Sequence, residues 1–274
     1  MVLCGLSVAG CGSSGPAPAA DAAAGDSAVT DGAAGAAPQL PPRNAAFDYQ
    51  LGGAYPPPTG VAVVSRDRTA AIAPGLYNIC YVNGFQIQPN ERTAWESQHP
   101  ALILRTASGA PVIDTEWNEA LIDISTAAKR TEVAAIVAGW IAGCRQAGFD
   151  AVEIDNLDSY ARSQGLLTAD NAVAMMHAMS DAAHAAGLAI AQKNSTDLVA
   201  RKAELGTDFA VAEECNEFSE CEAYRAGYGD EVLVIEYVET AFNAGCSAFP
   251  SLSIVLRDRE LVPLGDAGYV YKGC

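Results

Sequence analysis

The 274-residue sequence predicts an α/β protein, a (β/α)8 TIM barrel that forms one domain behind an N-terminal tether. Three observations predict it. Eight short apolar runs each turn polar at their C-terminal end. Stretches with a helical apolar stripe lie between the later runs. Residues 12–46 hold almost nothing that could bury a core.

The tether comes first. Residues 1–11 read MVLCGLSVAGC, and Val8-Ala9-Gly10-Cys11 has the form of a bacterial lipobox that would leave Cys11 lipidated. Residues 12–46 are mostly Ala, Gly, Pro and Ser, with three Asp and one Arg, the composition of a flexible linker. The expectation is therefore an exported cell-envelope lipoprotein or secreted protein. Gly12 after the lipobox cysteine favours the outer membrane, and the membrane is met only through the anchor. The folded domain is expected over 47–274 and is expected to act as a monomer.

The runs are FDYQLG (47–52), VAVVS (61–65), YNICYVN (77–83), AVEIDN (151–156), LAIAQKN (188–194), FAVAEEC (209–215), VLVIEY (232–237) and SIVLRD (253–258). Continuous apolarity suits parallel strands covered on their outer side. Between Thr126 and Ala147, Val133, Ile136, Val137, Trp140 and Ile141 mark one helix face, with Gly148 following. Thr168 caps a second helix, striped by Val173, Met176, Met179 and Ala183 and ended by Gly187. An open doubly wound sheet is the competing fold, but GGAYPPPTG after the first strand is not a phosphate-binding turn.

The formal charge of −17, of which the tether contributes −2, excludes nucleic acid and anionic membrane surfaces as partners and favours a polycation. Six cysteines remain in the domain, an even count that suits three disulfides in an exported protein. Of fifteen pairings, sequence proximity favours Cys215–Cys221; Cys246–Cys274 and Cys80–Cys144 are expected for the rest. No C-x2-C pair exists and no His lies near two of these cysteines, so no metal is expected.

In a barrel, the polar strand ends form the rim of the functional site. Here they carry Asp48 and Gln50, Ser65, Tyr81 and Asn83, Asp155 and Asn156, Lys193 and Asn194, Glu213 and Glu214, Glu236 and Tyr237, and Asp258. An insertion over residues 86–126 adds Trp117, which either stacks on a flat ligand face such as a sugar ring or folds back into its own loop. Two carboxylates facing each other across a pocket are the minimum for glycosidic hydrolysis, one ionised and one protonated. Asp155 and Glu213, ending the fourth and sixth barrel strands, are the candidate pair. No G-x-S-x-G elbow or P-loop is present. His177 and His184 fit a solvated helix face better than a metal site. Lys193 as a Schiff-base lysine is disfavoured by its acidic neighbours, which keep it protonated.

These residues carry a family resemblance. YNICYVN (77–83), WNEALIDI (117–124), GFDAVEIDNLDSY (148–160), GLAIAQKN (187–194), FAVAEEC (209–215) with Cys221, and IEY (235–237) occur in order. Together they resemble glycoside hydrolase family 114, the endo-α-1,4-polygalactosaminidases. The resemblance implies a TIM barrel without cofactor that cuts internal α-1,4 galactosaminidic bonds. Its acidic pair falls on Asp155, expected as nucleophile, and Glu213, expected as acid/base, with Glu214 as the competing position. Asp48, Gln50, Tyr81, Trp117, Asn156, Asp158, Lys193, Asn194, Glu236 and Tyr237 are expected to bind substrate. The implied partner is a cationic amino-sugar polysaccharide. Asp158, Glu236 and Glu153 could pair with its ammonium groups, or Glu153 could point inward to Lys193. A carbohydrate-binding protein without turnover and a hydrolase of a neutral α-glycan are the alternatives.

Overall fold

The computed structural model describes residues 37–274; the expected lipid-bearing Cys11 and most of the expected linker lie outside the described residues. Eight parallel strands form the barrel: β1 (Phe47–Gln50), β2 (Val63–Asp67), β3 (Tyr77–Asn83), β7 (Ala151–Asp155), β8 (Ala189–Lys193), β9 (Phe209–Glu213), β10 (Val232–Glu236) and β11 (Ser253–Arg257). A ninth strand, β12 (Tyr271–Gly273), runs antiparallel along β11. The insertion builds a small sheet over the barrel from β4 (Gln86–Ile87), β5 (Ile113–Asp114) and β6 (Glu119–Leu121), in the order β4-β6-β5, together with α1 (Arg92–Gln98).

Alternation along the strands sorts side chains into an inner and an outer set. Phe47, Tyr49, Val63, Ile79, Phe209 and Val255 belong to the cluster that fills the barrel. The outer set packs on helices. Against β3 and β7 lie α2 (Ala127–Ala147) and α4 (Ala169–Ala185), through Val133, Val137, Ile141, Met176 and Met179. The Thr126 hydroxyl accepts from Lys129 N at the start of α2, and Gly148 ends it at φ 94°, where a residue with a side chain would be strained. Thr168 and Asn171 form a reciprocal capping box on α4. Against β9 to β11 lie α6 (Cys221–Tyr228) and α7 (Glu239–Ala248). The remaining helices, α3 (Ser159–Arg162) and α5 (Lys202–Leu205), are single turns.

Strand and helix do not alternate eight times. Among the described residues no helix follows β1, β2 or β11. The β1–β2 connection contains Pro56, Pro57 and Pro58, which cannot propagate helical hydrogen bonds. The packed chain also starts ahead of Phe47. Leu40 and Ala45 pack against the inner cluster, Tyr77 Oη donates to Gln39 O at 2.6 Å, and Arg43 pairs with Glu231. Three disulfides are formed, Cys80–Cys144, Cys215–Cys221 and Cys246–Cys274.

No backbone ladder joins β1 to β11. Arg257, fully buried, bridges that seam: it donates to Asp48 Oδ1 at 2.9 Å, to the Tyr49 carbonyl, and to the carbonyls of Val262 and Val270. Asp48 also accepts from Gln50 Nε2 at 2.8 Å and Tyr55 Oη at 2.7 Å, so its desolvated charge is compensated. Arg257→Met would strand that charge and cost about 3–5 kcal/mol in urea denaturation, and adding Asp48→Asn would recover part of the loss.

Candidate active site

Above the apolar filling lies one polar layer. Glu153 Oε1 accepts from Tyr49 Oη at 2.6 Å and Oε2 from Ser65 Oγ at 2.9 Å. Lys193 Nζ donates to the same Tyr49 hydroxyl at 2.9 Å and stands 3.9 Å from Glu153. One step higher, the ammonium meets Asp155 Oδ1 at 3.3 Å and Glu213 Oε2 at 3.1 Å. Tyr81 Oη donates to Asp155 Oδ2 at 2.7 Å, Asn194 Nδ2 donates to Glu213 at 3.2 Å, and the Tyr237 hydroxyl donates to Glu213 as well. Both carboxylates open into a cavity of about 510 Å3 at the C-terminal ends of the strands. A second hollow of about 560 Å3, beside Tyr55, Pro57 and Ile72, has no carboxylate in its wall.

The chain turns sharply just past these side chains. Asn156, Asn194 and Glu214, each following a site residue, are left-handed at φ 64°, 49° and 58°. Asn tolerates this region; Glu214 does so at a cost, and its ion pair with Arg259 holds it there.

Burial opposes ionisation of Asp155, but the Lys193 ammonium, the Tyr81 hydroxyl and the Asn156 backbone N–H outweigh it and hold the carboxyl below its ordinary range. Burial likewise works against the Lys193 charge, and Asp155, Glu213 and Glu153 together keep it protonated. Glu153, where burial dominates over its neighbours, is pushed up to about 7. Glu119 is also pushed up to about 7, by burial first, with the Asn83 amide opposing and Asp155 reinforcing.

Of the sequence-predicted residues, the fold brings Asp155, Glu213, Tyr81, Trp117, Asn156, Asp158, Lys193, Asn194 and Tyr237 to one cavity. Trp117 is 55% exposed there rather than folded back. Three expected substrate contacts are corrected. Asp48 and Gln50 are buried at the barrel seam, Gln50 accepting from Arg66 Nε at 2.9 Å. Glu236 is buried behind β10, accepting from Asn216 N at 2.8 Å. All three occupy the outer positions of their strands, opposite in phase to Tyr49, Ile235 and Tyr237. Glu153 is buried beside Lys193 and is not a rim residue. Glu213 and Glu214, the competing position, both reach the cavity, because Glu214 lies past the strand end in a left-handed turn. Sequence reading missed Glu119, Arg259 and the 64%-exposed Phe218, which also line the cavity.

The family model for glycoside-hydrolase family GH114 matches residues 28–274. Among solved structures, Ega3 of Aspergillus fumigatus in complex with galactosamine superposes with a TM-score of 0.69 at 21% identity, covering 89% of this chain and 100% of that one. The glycoside hydrolase domain of PelA from Pseudomonas aeruginosa gives a TM-score of 0.53 at 12% identity, covering 81% and 98%. At these identities the likeness speaks for the fold. No curated protein matches the chain by sequence.

Because Lys193 is the foremost of the groups that offset burial at Asp155, Lys193→Met would raise the pKa of the Asp155 carboxyl. Carboxyl 13C titration by NMR, with the Asp155→Asn variant to assign the signal, would read the shift.

Proposed function

The chain belongs to glycoside-hydrolase family GH114, and on that footing we propose that it is an exported enzyme that cuts internal α-1,4 linkages of a cationic, galactosamine-rich exopolysaccharide with retention of configuration. The observation that carries the proposal is the convergence of Asp155 and Glu213 on one ammonium at the floor of an open, acid-lined cavity.

Asp155 Oδ1 and Glu213 Oε2 can be no further apart than the sum of their distances to Lys193 Nζ, 3.3 and 3.1 Å. That bound, which holds for the two oxygens turned to the lysine, admits the roughly 5–5.5 Å of a retaining pair and reaches only the lower edge of the roughly 6.5–9.5 Å that leaves room for a water between inverting carboxylates. In the first half-reaction, Asp155 attacks the anomeric carbon while Glu213 gives its proton to the departing glycosidic oxygen, leaving a glycosyl ester on Asp155. In the second, Glu213 takes a proton from water, the water oxygen displaces Asp155, and the sugar leaves with its original configuration. Lys193 and Tyr81 keep Asp155 ionised and aimed. Tyr237 and Asn194 fix the Glu213 carboxyl.

Charge supports the substrate class. The cavity wall carries seven carboxylates against three cations. Each of those cations, Arg162, Lys193 and Arg259, is already paired with an acid, so the surplus is negative. Ega3, the structural neighbour, was solved with galactosamine. Exposed Trp117 and Phe218, from two separate loops, offer flat apolar faces to sugar rings of a chain crossing the cavity. Three disulfides fit an oxidising compartment, and lipidation at Cys11 would tether the enzyme to the cell envelope.

Incubation with partly deacetylated galactosamine polymer would release oligomers detectable by mass spectrometry, with the α-anomer appearing first by NMR; intact polymer would refute the proposal. Asp155→Asn and Glu213→Gln would each lower kcat/KM by about two orders of magnitude or more with the thermal transition retained. Turnover of the cationic polymer would fall as added salt shortens the screening length from ~30 Å at 0.01 M to ~3 Å at 1 M. A neutral glycan would show no such fall.

A further inference from the structure

Resting on the amino-sugar reading above, we propose that Glu119 is the residue that selects the substrate's free amine: its carboxylate receives the ammonium on C2 of the sugar whose C1 is attacked by Asp155. Glu119 opens the short strand β6, in the insertion, and hangs over the cavity wall between β3 and β7. Only 8% of the residue is exposed. Its Oε2 accepts from Asn83 Nδ2 at 2.8 Å and Asn156 Nδ2 at 3.3 Å. Among the described residues, no protein donor meets its other oxygen and no cation lies within ion-pair distance.

The neighbouring cation, Arg162, favours the Glu119 charge from a distance but makes no ion pair with it. Arg162 is held by Asp114 at 2.7 Å and by both oxygens of Asp158 at 2.8 Å. A nearly buried carboxyl that faces a hollow without a counter-ion is poised for a cation brought by the ligand.

Position makes that ligand specific. Asn83 is the register partner of Asp155 across β3 and β7, and Asn156 follows Asp155 directly. Both amides that hold Glu119 therefore stand beside the nucleophile. In the sugar, the C2 nitrogen is two bonds from the attacked carbon, so one residue can present C1 to Asp155 and its ammonium to Glu119. An N-acetyl group brings no charge to that carboxylate. Glu119 is driven up towards 7 by burial, so binding an ammonium would expel its proton.

Glu119→Gln keeps the size and the acceptor to both asparagines but removes the charge. On deacetylated polymer, kcat/KM would fall about ten- to a hundred-fold, while hydrolysis of an N-acetylated stretch would fall by a much smaller factor. In an Asp155→Asn background, calorimetric binding of galactosamine oligomers would weaken by a similar factor on adding Glu119→Gln. Proton release measured at pH 6 in two buffers would disappear with it. Equal losses on both polymers, unchanged oligomer binding, or proton release surviving in Glu119→Gln would overturn the assignment. If the wild type cut neither polymer, the proposed function would fall, and the binding and proton-release measurements would still judge Glu119.

Discussion

The site depends on a single buried ammonium. Lys193 is almost wholly removed from water, and an unpaired charge there would cost several kcal/mol. It is tolerated because Glu153, Asp155 and Glu213 surround it and Tyr49 accepts one of its protons. The dependence runs both ways: without the ammonium, three carboxylates crowded at the top of the barrel would repel one another, and protonation would relieve them. The lysine thus keeps the candidate nucleophile ionised and holds two acids from different strands at one place.

This arrangement follows from strand register. Glu153 faces Ala191 across β7 and β8, and Lys193 faces Val211 across β8 and β9. The inward phase set by the small and apolar residues lower in the barrel carries the polar residues inward at the top. Ala151 leads to Glu153 and Asp155, Ala189 and Ala191 to Lys193, and Val211 to Glu213. A slip of one residue in any of the three strands would send its charge outward among the helices. Left-handed residues directly after Asp155, Lys193 and Glu213 then end each strand where its functional side chain stands.

Two disulfides bear on the same region. Cys80–Cys144 ties β3, which carries Tyr81 and Asn83, to the long helix α2. Cys215–Cys221 closes a short loop immediately beyond Glu213 and Glu214, where the backbone is already strained. Arg257 and Asp48 do for the β1–β11 seam what the ladder does elsewhere, with charge and carbonyls in place of backbone pairing.

All eight barrel strands, the Gly148 stop of α2, the Thr168 cap of α4, and the gathering of Asp155, Lys193, Glu213 and Tyr237 were legible in the sequence. Hydrophobic runs, turn residues and a polar final residue are local properties of the chain. Strand phase was legible too, and applied to β1 and β10 it would have removed Asp48, Gln50 and Glu236 from the rim. Glu119 and the Arg257 seam were not legible. Glu119 reaches Asn83 and Asn156 beside Asp155 only because a small sheet folds across the barrel mouth, and Arg257 meets Asp48 only when the first and last barrel strands come together. Contacts between residues so distant in the chain leave no periodic mark in sequence. They are decided by the closure of the barrel and by the desolvation that closure imposes on the charges inside it.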